Sequence, residues 1–191
     1  MEGKLNFNRI TSVNDPLFAN LYNLYSLAFP PRERRGWDGI EHELNYEKRF
    51  CPHALVQNDK FIGLLNCWTF DRFNYIEHIA IIPNLRNQHL GTEAMNIFMK
   101  QSKLPVILEV EMPNNIVASR RILFYERLGF SIISHNYAQP PYEGDGFLMP
   151  QLIMSTDLHF ANTHFEKIRD TLYDNVYHYE HSVDKNTVPD D

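Results

Sequence analysis

The stretch of this 191-residue chain best equipped for chemistry runs Tyr75-Ile-Glu-His-Ile-Ala-Ile-Ile-Pro83 and then Asn84-Leu-Arg-Asn-Gln-His-Leu-Gly-Thr92. Its pattern is a strand, a tight turn and the start of a helix. The first N–H groups of a helix have no intrahelical acceptor, and the helix dipole is positive at that end, so the turn suits an anion. Gly91 permits close backbone approach, and Arg86 adds a positive charge. No Gly-Lys-Ser/Thr follows and Gly-x-Gly-x-x-Gly is absent, which excludes a Walker loop and a dinucleotide fingerprint. Downstream, Glu109 and Glu111 share one face of a strand by the period of two. Tyr125 stands inside Phe124-Tyr-Glu-Arg-Leu-Gly-Phe130.

The elements that must position these residues are legible in outline. Leu5 and Phe7 alternate as a short strand. Asp15-Pro16 predicts a helix start, with Leu17, Leu21, Leu24 and Ala28 on its apolar face and Pro30-Pro31 as its stop. A second helix is predicted from Asp38, with Glu41 as capping-box partner. A meander follows over 53–56, 61–70 and 75–82. Then come a helix through Leu90, Ala94, Ile97 and Phe98, an apolar strand over 105–112, and a helix with Ala118, Ile122, Tyr125 and Leu128 that Gly129 ends. Two strands are predicted at 131–137 and 147–154. Thr163 and Glu166 predict a capping box for a last helix carrying Phe165, Ile168, Leu172 and Val176, whose apolar stripe is a candidate homodimer surface. The whole reads as a mixed α/β domain.

Composition narrows the classes. The 18 basic and 24 acidic residues give a net charge of −6, against the basic surface a phosphate-backbone binder needs. Two cysteines, Cys51 and Cys67, support neither a disulfide framework nor a four-cysteine zinc site, and no metal centre is expected. No run approaches the ~18 apolar residues of a membrane span, and the expected compartment is cytoplasmic.

Taken together, Glu77, Pro83, Arg86, Gly91, Leu108-Glu109-Val110 and Phe124 to Phe130 resemble the GNAT superfamily of acetyl-CoA-dependent N-acetyltransferases. The resemblance implies a mixed, mostly antiparallel sheet with splayed central strands flanked by helices over residues 1–155, and a C-terminal helix and tail over 156–191. It implies acetyl-CoA as co-substrate, its pyrophosphate on backbone N–H groups of Asn87, Gln88, His89, Leu90, Gly91 and Thr92 beside Arg86. It implies a pantetheine arm along Ile79, Ala80 and Ile81, and a further cofactor contact from Asn114. An amine acceptor, small molecule or peptide, would attack the thioester directly, with Glu77 as first choice for general base, Glu109 as rival and Tyr125 as proton donor to the thiolate. Two departures stand out. His89 replaces the first loop glycine, either crowding a phosphate or adding a cationic donor, and the stretch from Asn114 or Asn115 to Tyr125 is longer by about one helical turn.

Each residue also has a plainer reading. Glu77 is otherwise a strand-edge carboxylate in solvent, Glu109 a structural charge and Tyr125 a core aromatic. Arg120-Arg121 and the cluster Pro31-Arg-Glu-Arg-Arg35 read as solvated surface, and His178-x-x-His181 offers too few ligands for zinc. Tyr137 to Tyr142, before Gly144 and Gly146, is an aromatic loop that either covers the acceptor site or is an ordinary turn. The alternative to an enzyme is a silent acyl-CoA-binding or interaction module on the same fold.

Overall fold

The meander and the strand–helix alternation share one sheet. The computed structural model describes residues 3–142 and 146–179. In chain order the elements are β1 (Leu5–Arg9), α1 (Phe18–Ala28), α2 (Trp37–Tyr46), β2 (Phe50–Gln57), β3 (Lys60–Thr69), β4 (Asn74–Ile81), α3 (Leu90–Gln101) and β5 (Val106–Glu111). They continue as α4 (Ile116–Arg127), β6 (Ser131–Ile132), β7 (Tyr137–Gln139), β8 (Met149–Ser155), α5 (Leu158–Thr163) and α6 (Phe165–Asn175). The sheet order is β1-β2-β3-β4-β5-β8-β6, with β7 also on β8. Every pairing is antiparallel except β4 with β5.

Apolar side chains fill both faces of the sheet. On one, Leu21 and Tyr25 of α1, Ile40 of α2 and Ile168 and Leu172 of α6 pack with Trp68, Tyr75 and Ile107. On the other, Ala94 and Met95 of α3 and Ile122 and Tyr125 of α4 pack with Leu65, Ile76 and Leu108. Phe165, Ile168, Leu172 and Val176 are all buried in the first cluster. The apolar stripe of the last helix is therefore spent on the chain's own core, and the expected dimer surface is withdrawn. Residues on both sides of position 155 share that core.

Helix starts differ locally from expectation. Asp15 Oδ1 accepts from Leu17 N at 2.8 Å, closing a turn ahead of α1, so the helix opens at Phe18. Near the C-terminus Asp157 does the capping, accepting from Phe160 N at 2.8 Å. The chain breaks at His164, and α6 starts there without a side-chain cap in place of the predicted capping box.

Two irregularities in the sheet make room for chemistry. β4 and β5 pair only from Asn74–Ile76 to Val106–Leu108 and separate beyond. In the β3–β4 register Asn66 faces His78 and Cys67 faces Ile76, so Glu77 is an extra, bulged residue. A bulge interrupts the alternation of a strand. Glu77 and His78 consequently both turn to the α1 face, one toward Arg35 and the other between Tyr25 and Phe29.

Candidate active site

The splay separates two cavities that meet. One is a cleft of about 640 Å³ between the end of β4, the turn into α3, and α4. Ile79, Ala80, Ile81, Arg86, Asn87, His89, Leu90, Gly91 and Thr92 line it, with Arg121, Phe124 and Arg127 opposite. The first turn of α3 presents N–H groups without helical acceptors. Arg86 Nε donates to Ile81 O at 3.1 Å, bracing the turn on the strand. Asn87 and His89 hold left-handed φ angles of 63° and 59°, so His89 takes the backbone conformation that glycine would adopt most easily. Gln88 turns back toward Asn84 O at 3.4 Å and does not line the cleft. Asn114 lines neither cavity, while its neighbour Asn115 caps α4 by accepting from Ala118 N at 2.9 Å.

The second cavity, about 80 Å³, lies within the splay and is lined by Glu77, His78, Glu109, Glu111 and Tyr125 among others. Phe29, Ile79 and Arg121 border both spaces. Tyr125 is buried, and burial pushes its hydroxyl pKa up to about 12, keeping it protonated. Glu111 is partly exposed and pairs with Arg121 at 3.0 Å.

Glu77 is not a carboxylate in solvent, since its side chain is fully buried. Arg35 donates to Oε1, and Trp68 Nε1 donates to Oε2 at 2.8 Å. Burial alone would favour the neutral acid, but the Arg35 guanidinium and the Trp68 bond hold the pKa of Glu77 below the ordinary range. Arg35 also reaches the buried Glu43, at 3.3 Å, and stacks over Tyr142 at 4.9 Å.

Glu109 has the opposite environment. Among the described residues no cation pairs with it. Tyr137 donates to Oε1, while Tyr75 and Tyr177 reach Oε2 at 3.0 and 2.5 Å. Burial outweighs these three hydroxyls, and Glu77 adds repulsion, so its pKa is raised to about 7. Oε1 accepts only from Tyr137 among the described residues, which leaves it a lone pair.

The C-terminal segment completes this network. Val176 O accepts from Arg35, Tyr177 bonds Glu109, and His178 Nε2 lies 2.9 Å from Glu43 Oε1. That bond raises the His178 pKa. Three consecutive residues thus each hold one member of the buried charge cluster. Sequence reasoning missed Arg35, Tyr177 and this clasp. Arg32 is the solvated arginine of its cluster, whereas Arg35 is buried. Tyr137 and Tyr142 both reach the site, while Gly144 and His181 lie outside the described residues.

Comparison with known proteins places the chain by family and fold. Residues 18–130 match the model of the acetyltransferase (GNAT) family. A search of curated proteins gives no match. A GNAT-family structure from Bacteroides thetaiotaomicron superposes with a TM-score of 0.87 at 32% identity, over 92% of this chain and 99% of that one. A GNAT acetyltransferase from Elizabethkingia anophelis with acetyl-CoA bound gives 0.57 at 15% identity, over 81% and 98%. The ribosomal-protein-S18-alanine N-acetyltransferase of Escherichia coli gives 0.53 at 20%, over 80% and 92%. The last two show likeness of fold. Among the described residues, no helix is long and apolar enough to cross a membrane.

Proposed function

This chain belongs to the GNAT acetyltransferase family, and on that premise we propose that it transfers the acetyl group of acetyl-CoA to a primary amine by direct attack. In this reading Glu109 is the general base and Tyr125 meets the departing thiolate. The observation that carries it is the junction of the two cavities at the splay, where a helix-start turn rich in N–H donors, a protonated tyrosine and a carboxylate of raised pKa converge.

Acetyl-CoA supplies the activated acetyl group, and the 640 Å³ cleft has the features to hold it. The N–H groups at the start of α3, with Arg86, Arg121 and Arg127, suit its phosphates. The edge of β4 past Ile76 has no β5 partner, so its backbone is free to pair with an extended arm.

An arriving ammonium must lose a proton before its nitrogen can attack. Glu109, with a pKa of about 7, is matched to that task at neutral pH. Glu77, ion-paired with Arg35 and low in pKa, is a poor proton acceptor and stays ionised beside the amine. Attack forms the C–N bond and breaks the C–S bond. Tyr125 gives its proton to the sulfur and recovers one from the nitrogen. The proton taken up by Glu109 is lost again before the next turnover.

The test is thiol release from acetyl-CoA with a panel of monoamines, diamines, amino sugars and peptides bearing free N-termini. Amine-dependent release is expected, and Glu109→Gln should slow it roughly 10²–10⁴-fold. Cofactor binding with no release across the panel would favour the silent-module alternative.

A further inference from the structure

Four described residues carry buried polar side-chain atoms without a hydrogen-bond partner: Ser26, Glu43, Asn66 and His78. Of these, only His78 lines the cavity in the splay. Such atoms are rare enough that each asks for an explanation.

The histidine is fixed from behind. Its Nε2 lies 2.9 Å from Glu33 O, a carbonyl that can only accept, so Nε2 carries the proton. Nδ1 is then left with a lone pair and no partner. Tyr25 and Phe29 meet the ring edge to face at 4.9 and 4.4 Å, which holds its orientation. Burial, ahead of the opposing pull of Glu77, depresses the pKa of His78, so the ring stays neutral and Nδ1 stays an acceptor. The bulge at Glu77 puts both side chains on one face, with Nδ1 3.9 Å from Glu77 Oε2. One nitrogen can donate to both atoms at that separation.

We propose that His78 Nδ1 and Glu77 Oε2 form the seat of the acceptor amine, His78 accepting one N–H bond while a second points to Glu77. The proposal rests on the amine-acetylating reading above and adds to it the two residues that hold the amine and select against N-methylation. A primary ammonium has three N–H bonds, one each for His78 and Glu77 and one whose proton goes to Glu109. An N-methylated amine has one fewer and leaves one partner unsatisfied.

Two substitutions separate this role from a structural one. In His78→Gln the amide stands where Nε2 was, keeping the donor to Glu33 and losing the acceptor. In His78→Asn the amide oxygen stands where Nδ1 was, keeping the acceptor and losing the bond to Glu33. Kinetics would use acetyl-CoA, the most active primary amine of the panel and its N-methyl analogue.

For His78→Gln, the amine KM is expected to rise roughly 10- to 100-fold, the range for losing a hydrogen bond to a charged group. The KM for acetyl-CoA should stay within about twofold, and the preference for the primary over the methylated amine should shrink. His78→Asn, which keeps the acceptor, should raise the amine KM less than His78→Gln does while melting at a lower temperature. Unchanged amine KM in His78→Gln, or equal losses in the two variants, would overturn the seat. A wild-type protein that releases no thiol with any amine would instead overturn the reading beneath it.

Discussion

The cleft and the splay cavity adjoin but are built by different means. The cleft is made of contiguous chain: the end of β4, one turn and the start of α3, with backbone N–H groups as its main donors. The splay cavity is made of side chains from distant parts of the sequence. Arg35 meets Glu77 across 42 positions, Tyr177 meets Glu109 across 68, and Val176 meets Arg35 across 141. A site made of backbone survives most single substitutions, because every residue supplies the same N–H. A site of buried, mutually paired charges loses its balance when one member is removed.

The largest expected effect follows from that contrast. Arg35→Met leaves Glu77 and Glu43 buried without their shared cation, and breaking such a pair costs about 3–5 kcal/mol. Urea unfolding should show a loss of that order, and a stability near wild type would contradict the account of the cluster.

A smaller effect is expected from thinning the tyrosines around Glu109. Their hydroxyls stabilise the carboxylate, so Tyr177→Phe or Tyr137→Phe should raise the Glu109 pKa further. The acid limb of the rate profile then moves to higher pH in each variant. A limb that stays put would remove the tyrosines from the tuning of the base. The same titration affects stability. With a pKa of about 7 in the fold and 4.5 as the ordinary value, Glu109 holds an extra proton in the native state between those limits. Its contribution makes the protein less stable as pH rises through that window. Glu109→Gln should lack this slope in thermal melts taken across it.

The smallest effect is expected in the cleft. His89→Gly keeps the left-handed turn and its N–H donors, since glycine reaches that conformation without steric cost. Acetyl-CoA affinity measured by calorimetry should change little. A large loss would mean that the imidazole itself contacts the cofactor.

The same contrast decides what the sequence revealed. Strand, turn, glycine and helix start lie side by side in residues 75–92, so the cleft was readable from spacing and family resemblance. Gln88 and Asn114 line neither cavity: the Gln88 side chain turns back to Asn84 O, and Asn114 lies in the β5–α4 loop with its N–H on Met112 O. Glu77, Glu109 and Tyr125 were found as residues, but their environments were not. Nothing near Arg35 in sequence distinguishes it from the exposed Arg32. The C-terminal helix could be read as apolar on one face, but not that this face packs into the chain's own core or that the residues after it clasp three buried groups.

The central claim is that Glu109, not Glu77, takes the proton of the amine. It is tested most directly by kcat/KM for the amine against pH in the wild type, Glu109→Gln and Glu77→Gln. The account predicts a wild-type acid limb near pH 7 that persists in Glu77→Gln and is lost, with most of the rate, in Glu109→Gln. A Glu109→Gln enzyme that keeps the wild-type limb and rate would contradict it.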